Sequence, residues 1–185
     1  SGINVGAVGS TQAAAWRPGF SWSTQSLSNG RRVVDAAGNL GFLAENDVAS
    51  WRASLNSWKT QSLTDAAMIV GSGANLGAVG DTLAAAWRET TNNWTTSALA
   101  GGFQVAAAAG NVGAIGSSQA KAWRGITNTW FTTPLASPVE VVGSGLNIGV
   151  VGNSQAKVWN STSGAWVSVS LAGGKKIVGA AENFG

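Results

Sequence analysis

A chain of 185 residues with 44% apolar residues and ten tryptophans can bury one sizeable core, and its 10% charged content is too low for a disordered segment. The absence of cysteine and histidine excludes disulfides, thiolate metal centres and histidine acid-base chemistry. The net charge of +3 comes from scattered bases, adjacent only at Arg31-Arg32 and Lys175-Lys176, so no nucleic-acid partner is expected; no apolar run approaches the roughly 20 residues of a membrane helix, so membrane insertion is not expected either.

In chain order, the first marker is "NVG" at Asn4, an Asn-x-Gly with an apolar middle residue. It is followed by "AAAWRPGFSWSTQSL" from Ala13, carrying Trp16 and Trp22, and then by the small-residue run "VVDAAG" from Val33. The same succession returns with "NLG" at Asn39 and Asn75, "NVG" at Asn111, "NIG" at Asn147 and "NFG" at Asn183. The first tryptophan recurs at Trp51, Trp87, Trp123 and Trp159, and the second at Trp58, Trp94, Trp130 and Trp166, a period of 36 residues with one deletion in the first copy. Leucine stands five residues after each second tryptophan, at Leu27, Leu63, Leu99, Leu135 and Leu171.

Within a unit the apolar pattern breaks into four short runs, as in "IGVVGN" from Ile148, "AKVWNS" from Ala156, "AWVSVSL" from Ala165 and "KKIVGAA" from Lys175. Turn chemistry separates them, and no stretch holds helical periodicity long enough for a helix. Each run is expected to be a strand, each unit a small antiparallel sheet, and the whole chain an all-β, five-bladed β-propeller. One domain over 1–185 is expected, with repeats near 6–40, 41–76, 77–112, 113–148 and 149–185. The runs "VVDAAG", "IVGSGA", "VAAAAG", "VVGSGL" and "IVGAAE" are small after their leading aliphatics, which assigns them to the crowded inner strand. The sixth Asn-x-Gly puts both chain ends at one phase, so the ring is expected to close by mixing N- and C-terminal strands in one blade, giving a monomer. The start at Ser1 is compatible with a removed leader or a larger parent chain.

The succession of apolar inner strand, Gly-containing second strand, Ala-x-x-Trp, and Trp with Leu five residues later resembles the HAF-type repeats of bacterial secreted proteins and, more remotely, a shortened kelch blade without the kelch double glycine. The resemblance implies a propeller and a secreted or cell-surface setting, and no particular ligand.

An enzyme is not expected. The eight acidic residues, Asp35, Glu45, Asp47, Asp65, Asp81, Glu89, Glu140 and Glu182, do not recur at one blade position, and no Ser-x-x-Lys run supplies a base for the many serines. Neither metal nor cofactor is expected. The second tryptophan of each unit reads as packing between sheets, and the recurring asparagine as a turn residue bonding its own backbone. The first tryptophan and the residue behind it are the candidate site: Trp16 with Arg17, Trp51 with Arg52, Trp87 with Arg88, Trp123 with Arg124, and Trp159 with Asn160. Neighbours on a strand point to opposite faces, so Trp from one blade and Arg from the next converge on one inter-blade groove, an aromatic plate beside a forked donor. Such grooves suit the C–H face and hydroxyls of a sugar, which makes a multivalent, lectin-like glycan binder the expected function. The alternative is a structural or protein-interaction scaffold with no small-molecule ligand. Asn160 lacks the guanidinium fork, so the fifth groove is expected to differ from the other four.

Overall fold

The structure is a computed structural model that describes residues 4–181 and 183–185. It contains β-strands and one short 3-10 turn, Ala53–Leu55, among the described residues. The first sheet has three strands, β1 (Val5–Val8), β2 (Gln12–Trp16) and β3 (Ser23–Ser26). The second sheet comprises β4 (Arg32–Ala36), β5 (Asn39–Leu43), β6 (Asp47–Arg52) and β7 (Ser57–Ser62). The third comprises β8 (Met68–Ser72), β9 (Asn75–Val79), β10 (Leu83–Arg88) and β11 (Asn93–Ala98). The fourth comprises β12 (Gln104–Ala108), β13 (Asn111–Ile115), β14 (Gln119–Arg124) and β15 (Thr129–Pro134). The fifth comprises β16 (Pro138–Ser144), β17 (Asn147–Gly152), β18 (Gln155–Trp159) and β19 (Trp166–Ser170), and a two-stranded hairpin, β20 (Gly179–Ala180) with β21 (Asn183–Phe184), ends the chain.

Every sheet is an antiparallel meander, and successive sheets stack face to face as propeller blades, with β4, β8, β12, β16 and β20 side by side. The small-residue runs therefore do occupy the inner strands. Their size follows from backbone approach: a Cβ at Gly71 would collide with the Asp35 carbonyl, and one at Gly143 with that of Ala107. One strand out, the glycine of each Asn-x-Gly is a hole filled by the apolar middle residue of the next copy. Leu40 fills Gly6, Leu76 fills Gly41, Val112 fills Gly77, Ile148 fills Gly113 and Phe184 fills Gly149. Apolar faces close around these knobs, so the core lies between blades rather than inside one central mass.

Among the described residues, the strand exchange expected to close the ring is not formed. β1 pairs with β2, and β20 pairs with β21. The overlap of phase is itself the reason: "NVG" and "NFG" compete for the same edge of the inner strand, and the local hairpin closes a far shorter loop than pairing across the whole chain. The remainder of the overlap, residues 1–3 and Glu182, lies outside the described residues. Both ends of the blade array consequently carry an uncovered face.

Candidate functional site

The recurring asparagine is a clamp between blades. Asn39 Nδ2 donates to the Ala74 carbonyl at 3.2 Å, Asn75 Nδ2 to Gly110 at 2.9 Å and Asn111 Nδ2 to Leu146 at 2.7 Å, each on the inner hairpin of the following blade. Asn4 does the same to Gly38 at 2.7 Å. Their oxygens reach the turn after the third strand of their own blade, accepting from Ala53 N at 3.1 Å, Glu89 N at 3.0 Å and Gly125 N at 3.0 Å. Asn147 Oδ1 likewise accepts from Ser161 N at 3.0 Å. The expectation that this asparagine bonds its own turn is corrected, because its side chain spans two loops that are remote in sequence.

The first tryptophan is also corrected. Trp51, Trp87, Trp123 and Trp159 are all 0% exposed, and only Trp16, on the uncovered face of the first sheet, is partly open. A buried ring offers no plate for a sugar. These rings lie on the face packed against the preceding blade, as with Phe131, whose ring centroid is 5.5 Å from that of Trp159. In two blades the asparagine five residues later caps the indole, Trp51 Nε1 donating to Asn56 Oδ1 and Trp123 Nε1 to Asn128 Oδ1, both at 3.1 Å, whereas Asn92, at the same place after Trp87, donates to Ser57 Oγ at 3.0 Å instead. Asn56, Asn92 and Asn128 have φ of 48, 50 and 57°, a left-handed turn position that asparagine tolerates and that Gly164 fills in the fifth blade at 72°. Trp58, Trp94, Trp130 and Trp166 pack between sheets as expected, whereas Trp22, on the uncovered face of the first sheet, is exposed. Trp58 Nε1 donates to Ser23 Oγ at 2.8 Å, Trp94 Nε1 to the Lys59 carbonyl at 3.2 Å and Trp130 Nε1 to that of Thr95 at 3.3 Å, each on the outer strand of the preceding blade.

The arginines do cross to the neighbouring blade, but onto its turn rather than beside its tryptophan. Arg17 donates to the Ala53 carbonyl with its guanidinium 3.7 Å over the Phe20 ring, and Arg52 forms an ion pair with Glu89 at 2.8 Å. Arg88 donates to the Ile126 carbonyl at 2.9 Å and Arg124 to Thr162 at 3.2 Å. Asn160 differs as expected, since its oxygen turns back to accept from Thr162 N at 2.9 Å and Ser163 N at 3.0 Å. Tryptophan and arginine are thus not brought together in one groove.

What the arrangement does create is a groove of about 330 Å³ on the face formed by the inner hairpins and the third-to-fourth-strand turns. Asn75, Gly110, Arg124, Ile126, Leu146 and Thr162 line it, so three successive blades contribute. Its rim carries Ile126, 76% exposed, and Leu146, and the same kinds of turn in the first two blades expose Phe20 and Leu55. Sequence reasoning passed over these four because they stand inside turn segments; the available signal was an apolar side chain where turn chemistry favours polar ones, as at Gly125-Ile126.

Two lysines sit between blades two residues before the first tryptophan. Lys121 Nζ donates to Thr132 Oγ1 and Lys157 Nζ to Thr133 Oγ1, each at 2.9 Å. Burial pushes the Lys121 ammonium below the ordinary lysine range. Acidic side chains are dispersed in local contacts: Glu45 pairs with Arg31 at 3.3 Å, and Glu140 accepts from Ile177 N at 2.9 Å.

No protein-family model and no curated protein sequence matches this chain, so nothing beyond its motifs supports the HAF-type or kelch resemblance. Solved structures similar to it are propeller-like. Hsv2 of Kluyveromyces lactis aligns at 6% identity and a TM-score of 0.48, over 95% of this chain and 71% of that one. PorZ, a surface component of the type-IX secretion system of Porphyromonas gingivalis, aligns at 11% and 0.48, over 92% and 26%. A chain of the mitotic checkpoint complex aligns at 14% and 0.45, over 74% and 48%. This chain therefore spans about half or less of the last two, and at these identities no ligand or activity transfers from any of them.

Proposed function

We propose that this chain is a non-enzymatic repeat scaffold that contacts other proteins through the turn face of its blades. One observation carries the reading: the side chains that a sugar site would use are committed inside the fold, four of the five first tryptophans buried and the arginines bonded to the next blade, while apolar side chains stand exposed on the turns. Ile126 and Leu146 flank a groove that Asn75, Asn111, Arg124 and Thr162 also line, a mixture of apolar and hydrogen-bonding groups suited to an extended peptide with an apolar anchor.

A glycan array combined with tryptophan-emission titration tests this against the lectin alternative. Peptides selected from a random display library on the immobilised protein are expected to carry apolar anchors and to lose binding with Ile126→Asp, and sugars are expected to leave the emission unchanged. Glycan binding that shifts the emission, with peptide selection yielding nothing sensitive to Ile126→Asp, would reverse the assignment.

A further inference from the structure

The two uncovered faces of the blade array are the two halves of one interface that the molecule already makes between each pair of successive sheets. On the fifth sheet the face toward the next blade presents Ala156, Val158, Val167, Val169 and Leu171, which with Phe184 line an apolar groove of about 330 Å³. Leu171 is 41% exposed here, whereas Leu27, Leu63, Leu99 and Leu135, its counterparts in the other units, lie at 0 to 3% beneath the following sheet. Val167 and Val169 are more than 60% exposed. On the first sheet the face toward a preceding blade presents Val5, Trp16 and Trp22, with Trp22 54% exposed. Trp51, the counterpart of Trp16, is buried against Ala13, Ala15 and Leu27, whose counterparts in the fifth sheet are Ala156, Val158 and Leu171.

We propose that the fifth sheet binds the first sheet of a second copy of this chain, head to tail, in the register that the internal blades use. The two faces are open in one and the same molecule, so the chain's own first sheet does not cover them. The interface continues an established one: Trp16 of the second copy lies over Val158 and Leu171, and its Trp22 indole donates to the Val167 carbonyl, as Trp94 does to Lys59. The first sheet lacks an inner strand, and β20 is an inner strand that pairs only with β21 among the described residues. β1 of the second copy therefore takes the place of β21 on β20, and Val5 replaces Phe184 in the hole at Gly149. This contact is heterologous, so it propagates or closes as a ring of copies. It also lacks one staple, because Asn160 bonds its own turn where the other four units send an arginine across. The inference is independent of the turn-face groove and stands or falls apart from it.

Sedimentation velocity on the full chain over a concentration series tests the proposal. Wild type is expected to associate with rising concentration. Val169→Asp blocks one face and Trp22→Asp the other, so each variant alone is expected to stay monomeric, while an equimolar mixture forms a dimer through the one intact pair of faces; the mixed dimer also shows that both variants fold. Asn160→Arg supplies the missing staple and is expected to tighten association about tenfold, the worth of one charge-assisted hydrogen bond. A wild type that stays monomeric throughout overturns the proposal, and protection of Val169 and Trp22 in that monomer would identify its own first sheet as the occupant. Association that persists in both single variants, or an Asn160→Arg constant equal to wild type, overturns the assigned faces and register.

Discussion

The junction between the third and fourth sheets and the junction after the fifth are built from the same repeat, yet one is sealed and the other open. At the inner junction Val112 fills the hole at Gly77, Asn75 clamps Gly110, Arg88 reaches Ile126 and Leu99 is fully covered. At the end junction Phe184 fills Gly149, but Asn160 folds back and Leu171 faces solvent. The repeat residues are thus necessary for the interface and not sufficient for it. Their burial depends on a neighbour of the same kind, as expected for a quasi-one-dimensional array whose stability is a sum of nearest-neighbour terms.

The contrast is broken most strongly at tryptophan. Trp87→Ala should empty a fully buried site and cost about 3–5 kcal/mol, whereas Trp16→Ala, with no sheet over it, should cost well under half of that; urea unfolding midpoints compare the two. Equal costs would mean that the end face is covered in solution. Next in size, Asn75→Ala should lose about 2–3 kcal/mol, because it strands both the Gly110 carbonyl and the Glu89 amide, and a second variant, Asn75→Asp, keeps only the acceptor and should recover part of the loss in the same assay.

The glycine holes sharpen the comparison in another way. Gly113→Ala drives a methyl into Ile148 in the middle of the array and should cost about 1–3 kcal/mol, while Gly149→Ala meets Phe184 and Ile177 at the end and should displace only the β20–β21 hairpin. Hydrogen exchange separates them: global protection falls in the first variant, and only the C-terminal amides open in the second.

A pH-dependent difference follows from Lys121. Its folded-state pKa is lowered by burial, so the unfolded chain binds the extra proton, and stability should rise as pH increases from the folded value up to the ordinary lysine value. Lys121→Met removes that ionisation, and its thermal melts should show a flatter alkaline rise than wild type. The smallest effect is expected at the inner hairpin turn, where Ala109 has a φ of 40°: Ala109→Gly relieves the left-handed strain at some cost in chain entropy, for a gain of about 0.5 kcal/mol in melting experiments.

Much of this architecture is legible in the sequence because it rests on local period. The 36-residue repeat, the alternating short runs and the small-residue stretches specify four strands per unit and which of them is innermost, since strand alternation and backbone crowding act on a few residues at a time. The candidate site was legible only in part. The recurrence of Trp, Arg and Asn marked the right positions, and the asymmetry at Asn160 was visible, but recurrence does not distinguish a ligand plate from a packing knob. That distinction rests on which face meets the neighbouring blade, and the tertiary structure decided it by burying Trp51, Trp87, Trp123 and Trp159. The clamp made by Asn75 joins loops 14 and 35 residues away, a pairing that no local rule contains. Closure was likewise outside the reach of the repeat pattern. Two Asn-x-Gly segments share one phase of the repeat, and the choice between them is made in the folded chain, where the short loop of the β20–β21 hairpin prevails because bringing the distant N-terminal strand to the same edge costs more chain entropy.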